Sequence, residues 1–567
     1  MLATQTQYIQ VLEDLNQLLT GSRFSKDAIL HLKTEIETIE LLVPVIGAFS
    51  AGKSSVLNRL LGQEVLPVGI IPETELATEI RYAAQSYIVA LRQDSTIEQF
   101  DLNQMDEIKL RAAEFTHLKC YLNHPLLKSL EPLVLVDMPG FGSSLSNHNK
   151  AIAYYLPRGV FFLVLVSVEE GNLTKSMLRQ LSELQSFQRD FMVLVSKANL
   201  RSEAEVQDIV TLLQDQIEDH LNKKQLVVSV GMDDSQKLLG LINQINPNEI
   251  VKSLFNHILM SHFHDLMDNI NFSKSTLDKN DDNNEKNIKI LQDSLKKLES
   301  DRQDMLCTFD QNHVHNIADR CISYIGISLN KNIDELVHLL SKGSQERFSS
   351  EVSEIIRTSL TEKLQEEIKT VSKLAIEDFS MIIKNININT GGSEVDMEWV
   401  GNLSARVNDS MEKISIVSSK MQDILAKKED VNKWFKATAA VLAITTTVVA
   451  PAVELIILFL PEILGFFSKI GQEDRIRQKV QSEIFPQIKS KLRPVVLDLA
   501  ADRVRELVQD IGQSFESEIA HKMKILQQLE SEREQQHFDL NKAKAELQHL
   551  EDAIEQLLKT ITYTKEA

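Results

Sequence analysis

Lys53 and Ser54 end the run Gly47-Ala-Phe-Ser-Ala-Gly-Lys-Ser-Ser55, and a lysine and a hydroxyl at that spacing after two glycines suit one chemistry. The glycines let backbone N–H groups close around phosphate oxygens, Lys53 reaches the outer phosphates, and Ser54 holds Mg²⁺. That arrangement needs a strand before the loop and a helix after it, whose positive N-terminal end adds to phosphate binding. Both are predicted, from Leu41–Ile46 and from Val56–Leu61. Positions Gly47, Ala48, Phe49, Ser50, Ala51, Gly52, Lys53, Ser54 and Ser55 are therefore the expected phosphate-binding set.

Three further stretches could complete such a site. The loop Leu66–Thr74 carries Thr74, a candidate to join the Mg²⁺ shell and help hold an attacking water, with Thr78 a weaker candidate. Asp137-Met-Pro-Gly140 follows an apolar strand; Asp137 suits Mg²⁺ through water, and the Gly140 N–H is free to approach a γ-phosphate. Together with the phosphate loop, this spacing favours GTP hydrolysis over kinase chemistry. Ser196-Lys197-Ala198-Asn199 stands where a base-reading [NT]KxD turn belongs, with Asn199 in place of the aspartate, and Ser229 would support the base from the other side. His313-Val-His315 has no third ligand at suitable spacing and is not read as a metal site.

Positioning those residues calls for a sheet. Between about 40 and 255, short strands, Leu41–Ile46, Glu79–Ala83, Tyr87–Arg92, Leu118–Leu122, Leu133–Asp137, Val160–Val166, Phe191–Ser196 and Leu226–Ser229, alternate with helical patterns such as Thr174–Phe187 and Glu203–His220. Nearly continuous apolar strands imply burial on both faces, hence an α/β domain with a mostly parallel sheet covered by helices. Ligands in such sheets sit beyond the strands' carboxyl ends.

The remainder reads as helix. Residues 1–38 carry one apolar stripe, a heptad seam runs from Ile288 to Phe309 interrupted by Arg302, and a second runs from Leu540 to Ile561. These predict three helices converging in an antiparallel bundle. Residues 348–383 and 480–520 read as two sides of a helical stalk, with Pro486 and Pro494 as kinks. At its far end Ala437–Val453 is uncharged, and apolar runs continue to Phe467. Crossing a layer ~30 Å thick needs roughly 20 apolar residues. Pro451, Glu454 and Pro461 leave pieces of about 14, or about 21 Å of helix. A hairpin dipping into one leaflet fits better, with Leu442, Ile456, Phe459 and Phe466 against lipid and lysines and arginines on both flanks; a buried core hairpin is the alternative.

Composition narrows the field. Aromatics at 6% with 19 Gly and 12 Pro favour long helices over an all-β build, and a net charge of −20 argues against nucleic acid as the main partner. Three widely spaced cysteines imply neither a disulfide framework nor a metal cluster and fit a reducing compartment. The first residues lack a cationic segment and an apolar run, so no secretory signal is expected.

GAFSAGKSSVLNRLLG, LPVGIIPETE, LVDMPG and SKAN, followed by long helices and an apolar tip, resemble a bacterial dynamin-like protein, most similar to the LeoA type associated with enterotoxin secretion. The resemblance implies a GTPase head that uses Mg²⁺ and GTP, a helical neck and trunk, a membrane-binding tip, and heads pairing across the nucleotide face. By position Ser50 matches the family's loop serine that helps place water. Phe49 departs from the glutamine of eukaryotic dynamins, and Asn199 departs further, against guanine selectivity. The implied organisation is neck helices over 1–38, a GTPase domain over 39–255, neck helices over 256–330, trunk over 331–430 and 471–520, a tip over 431–470, and a C-terminal neck helix over 521–567. The expected function is a mechanochemical GTPase, cytoplasmic and peripherally membrane-associated, that remodels, tethers or fuses membranes and self-associates, also with partner dynamin-like proteins. A nucleotide-binding tether with little hydrolysis is the second reading. A pore-forming helical protein is a distant third, since a pore former has no need of Lys53, Ser54 and Asp137.

Overall fold

The computed structural model describes the chain except residues 23, 25, 49, 68–75, 93, 95, 141–150, 152, 153, 157, 188, 232, 233, 278–280, 310–312, 390–399, 403, 406–445, 465–472, 534–538 and 563–567. Phe49, Thr74, Leu442 and Phe466 lie outside the described residues.

Among the described residues nine strands form one sheet: β1 Leu41–Gly47, β2 Ala77–Tyr82, β3 Tyr87–Arg92, β4 Ile97–Phe100, β5 Phe115–Leu122, β6 Leu133–Asp137, β7 Phe161–Ser167, β8 Asp190–Ser196 and β9 Val227–Ser229. Their order is β4-β3-β5-β2-β6-β1-β7-β8-β9. From β6 through β1, β7 and β8 to β9 every pairing is parallel, whereas β2 runs antiparallel to β6, and β3 runs antiparallel to both β4 and β5. Every residue of β1 and β6 is buried, as apolar strands covered on both faces require. Strand β4 was not expected: Ile-Glu-Gln-Phe is short, and three of its four side chains are not buried, so it lacks an apolar run. Pro44 sits inside central β1, where a missing N–H normally disqualifies a strand. It falls between the Leu42 bridge to Gly159 and the ladder to β7 that begins at Val45, where the pairing to that side is interrupted. A Cβ on Gly159 would lie 2.9 Å from Pro44 Cδ and 2.5 Å from the Phe162 ring, so the crossing requires glycine there.

The helical remainder differs from the expected bundle in one pairing. Helix Ala3–Leu18 packs on Asp27–Thr38, on Pro247–Leu277 and on Leu540–Thr562. The third member is thus Pro247–Leu277, while the seam of Asp281–Phe309 faces the 49-residue helix Phe485–Arg533 and the 45-residue helix Gln345–Asn389. A heptad stripe states that a face is buried but not against which partner. Arg302, the interruption in that seam, donates to both carboxylate oxygens of Glu516 at 2.8 and 2.9 Å. Pro247–Leu277 is one continuous helix, so it runs through residue 255, where the composition changes. A π-helical turn over Val480–Ile484 precedes Pro486, and Pro494 lies within the long helix that follows.

Candidate nucleotide-binding site

The loop after β1 has one shape because of three backbone demands. A Cβ on Gly47 would sit 2.4 Å from the Leu165 carbonyl oxygen of β7, so no side chain fits. Ser50 and Gly52 adopt left-handed φ of 67° and 85°, the latter capping helix Lys53–Leu61. Its first-turn N–H groups, without intrahelical acceptors, line the loop mouth.

Lys53 is buried, and its ammonium donates to the Gly47 and Ala48 carbonyls, both at 3.1 Å. Burial lowers its pKa to about 8, against the opposing charges of Asp137 and Glu170. Ser54 Oγ donates to Asp137 Oδ2 at 2.6 Å. Asp137 is fully buried; desolvation raises its pKa to about 6, opposed by the Ser54 hydrogen bond and the Lys53 charge, and its Oδ1 has no hydrogen-bond partner. A desolvated carboxylate oxygen without a donor, beside a hydroxyl and a phosphate loop, is a donor set that fits Mg²⁺. Gly140, three residues beyond Asp137, is buried at the same strand end.

The weaker threonine candidate is corrected. Thr78 lies inside β2, buried and in register opposite Asp137, with its hydroxyl 3.4 Å from the Leu76 carbonyl. It is a sheet residue and not part of the preceding loop.

At the turn expected to read a base, Ser196 ends β8 and its hydroxyl donates to the Ala51 carbonyl at 2.6 Å. Lys197 takes a left-handed φ of 58°, Asn199 is exposed, and Ser229 is paired in register with Val195 of β8. The structure therefore brings Gly47, Ala48, Ser50, Ala51, Gly52, Lys53, Ser54, Ser55, Asp137, Gly140, Lys197, Asn199 and Ser229 to the carboxyl-end edge of the parallel strands.

Three contributors escaped the sequence reading. Glu169, just past β7, forms an ion pair with Lys197, and Glu170 beside it has a raised pKa from burial, opposed by the charges of Lys197 and Lys53. The signal was two carboxylates directly after a buried strand. Asn58, in the helix after the loop, donates from Nδ2 to the Leu66 carbonyl at 2.7 Å and accepts from Val65 N and Leu66 N at 3.1 and 2.9 Å. It thereby anchors the chain where it leaves for residues 68–75.

The apolar segment is also placed. In helix Thr446–Leu464, Ile456 is fully buried, along with Val449, Ala452 and Leu460, and the helix packs on Gln345–Asn389 and Phe485–Arg533. Ile456 thus faces protein and not lipid, because the helix's apolar stripe finds partners on both stalk helices. Phe459 is half-buried with the Lys491 ammonium 5.3 Å from its ring centre, while Leu458 is 75% exposed. Among the described residues no helix is long and apolar enough to cross a membrane, and no group of three or more His, Cys, Asp or Glu residues could hold a metal ion.

Residues 43–198 match the Dynamin family. An uncharacterized protein in the xynA 3′ region of Caldicellulosiruptor sp. (strain Rt8B.4) is 26% identical over 229 residues, covering 39% of this chain and 56% of that protein. Dynamin-like protein 2 of Campylobacter jejuni subsp. jejuni serotype O:23/36 (strain 81-176) is 36% identical over 109 residues, 18% of this chain and 17% of that one. A solved bacterial dynamin pair, described as oligomerised and as providing a mechanism for long-range sensing and tethering of membranes, aligns over 99% of this chain and 95% of its own at 14% identity and a TM-score of 0.32. The chain spans between 17% and 56% of the length of the curated relatives it matches. The Dynamin family match over residues 43–198 lies on the sheet that carries Lys53, Ser54 and Asp137.

Proposed function

We propose that this chain binds and hydrolyses Mg²⁺–GTP and couples that cycle to membrane tethering or remodelling through paired heads. The observation that carries the nucleotide half is the fully buried Asp137, with Oδ2 held by Ser54 at 2.6 Å and Oδ1 without a partner. Ser54 and Asp137, with Thr74, would hold the metal, and bound Mg²⁺ would neutralise charge on the β- and γ-phosphates. Lys53, a desolvated cation resting on loop carbonyls, gains a charged partner when it turns to the phosphates. Gly140 N–H faces the γ-phosphate, and Ser50 and Thr74 place the water.

Arg81 is engaged by Glu40 and Glu79, which removes one cis arginine from the chemistry. Stimulation by a second copy across the nucleotide face follows, and a nucleotide-binding tether that barely turns over alone is the second reading. The 431–470 segment would meet lipid peripherally, through the outward face of Thr446–Leu464 where Leu458 is exposed. Phosphate release from GTP by the full chain, across protein concentrations and with and without liposomes, is the test. Turnover lost in Lys53→Ala, rising with concentration and with lipid, is expected. Turnover unchanged in Lys53→Ala would overturn the reading.

A further inference from the structure

The GTPase domain is clamped to the helical trunk by charges. Arg357 of Gln345–Asn389 donates to both Glu183 oxygens, at 2.5 and 2.8 Å, with both residues buried, and Gln180 donates to Glu354 at 2.9 Å. Arg179 pairs with Glu351 alongside. Next to this clamp a cleft of ≈ 630 Å³ opens between the two parts, lined by Lys175, Arg179 and His220 on the GTPase side and by Lys331, Thr361 and Glu362 on the trunk side.

The acids of this cleft already have partners: Glu183 has Arg357, and Glu362 accepts from the Tyr324 hydroxyl at 2.9 Å. The donors are left over. Lys175 and Lys331, one from each side, make no ion pair with a carboxylate among the described residues. Both lysines are exposed, so their ammonium groups are open to a ligand in the cleft. Burial and the charge of Lys331 lower the pKa of His220, so the trunk lysine is felt on the GTPase side. A cleft that presents an exposed lysine from each side, while its own acids are already paired, recognises an acceptor-rich anion.

We propose that this cleft binds a small phosphate-bearing anion that bridges the GTPase domain and the trunk. The ligand's oxygens would take both ammonium groups. Since it touches both parts, its binding favours the clamped arrangement over any in which they separate. The site shares no residue with the phosphate loop, and the proposal stands apart from the nucleotide reading.

Calorimetric titration of pyrophosphate into the full chain carrying Lys53→Ala tests it, because that substitution removes the phosphate loop's own affinity. Saturable binding and a raised melting temperature are expected. Lys175→Ala and Lys331→Ala in the same background should each weaken it by about tenfold or more, as loss of a charge-assisted contact does. Glu362→Gln, which removes an acid from the rim, should tighten it, an outcome that misfolding cannot imitate. In the otherwise unmodified chain the same result appears as a second site, lost in Lys331→Ala while the first remains. Competition by phosphatidylglycerol vesicles but not by phosphatidylcholine vesicles would make the source a lipid headgroup, and its absence a soluble phosphate compound. Loss of all pyrophosphate binding in Lys53→Ala, or lysine variants that bind like their parent, overturns the proposal. Loss of GTP binding alone bears only on the phosphate loop.

Discussion

Ser196, the last residue of β8, donates its hydroxyl to the carbonyl of Ala51 in the phosphate loop at 2.6 Å, 145 residues earlier in the chain. The same hydroxyl lies 3.4 Å from the Val166 carbonyl of β7. One buried oxygen thus ties the turn that follows β8 to the loop that follows β1.

Ser196→Ala leaves the Ala51 carbonyl without this donor. Orphaning a buried acceptor costs roughly 1–3 kcal/mol. The expected outcome is a lowered melting temperature and weaker nucleotide binding together, read by thermal denaturation and by titration. A variant with unchanged affinity would show that the loop holds its shape unaided.

Lys53 and Asp137 make the nucleotide-free chain sensitive to pH from both sides. Asp137 has a folded pKa raised from 3.8 to about 6, so its contribution is fully present below pH 3.8 and is lost as pH rises through about 6. Lys53 has a folded pKa lowered from 10.5 to about 8, so its contribution is present above pH 10.5 and is lost as pH falls through about 8. Two pKa units amount to about 3 kcal/mol for each group. Denaturant titrations should show Asp137→Asn flattening the change between pH 4 and 6, and Lys53→Met flattening it between pH 8 and 10.5. Nucleotide affinity that depends on Mg²⁺ should weaken as pH falls, because protonating Asp137 competes with the metal.

Asn199 offers guanine a carbonyl and an NH₂ where an aspartate would accept from both N1–H and the exocyclic amine. Loss of one charge-assisted bond costs roughly 1.5–3 kcal/mol, or about ten- to a hundredfold in affinity. Asn199→Asp should tighten GTP by that factor and leave ATP unimproved in calorimetric titrations. Tight, guanine-selective binding by the unmodified chain would assign base reading to another residue.

Ile456 and Leu458, two positions apart on one helix, separate core from surface. Ile456 is 0% exposed and Leu458 75% exposed. Ile456→Lys buries an unpaired charge and should cost several kcal/mol of fold stability, and Ile456→Ala about 2–5 kcal/mol. Leu458→Lys should leave the melting temperature within a degree or two. If the outer face of this helix meets lipid, Leu458→Lys also releases the protein from liposomes in co-sedimentation.

The phosphate loop, the strand ending in Asp137 and the alternation of strands with helices were legible because each is a local pattern. Glycines, a lysine and a hydroxyl at set spacing between an apolar strand and a helix admit few other structures. Burial of β1 and β6 on both faces followed from their unbroken apolar runs for the same reason. Partnership was a different matter. An apolar stripe says that Thr446–Leu464 and Asp281–Phe309 each bury a face, but stalk helices, another neck helix and lipid all satisfy that stripe equally. Only the three-dimensional path of the chain chose the stalk for both. It likewise set Ser196 on Ala51, Glu169 on Lys197 and Arg357 on Glu183, contacts that join residues 28 to 174 positions apart. Their energies depend on an approach of a few ångströms that no spacing rule along the chain encodes, because hydrogen bonds and ion pairs act over distance in space.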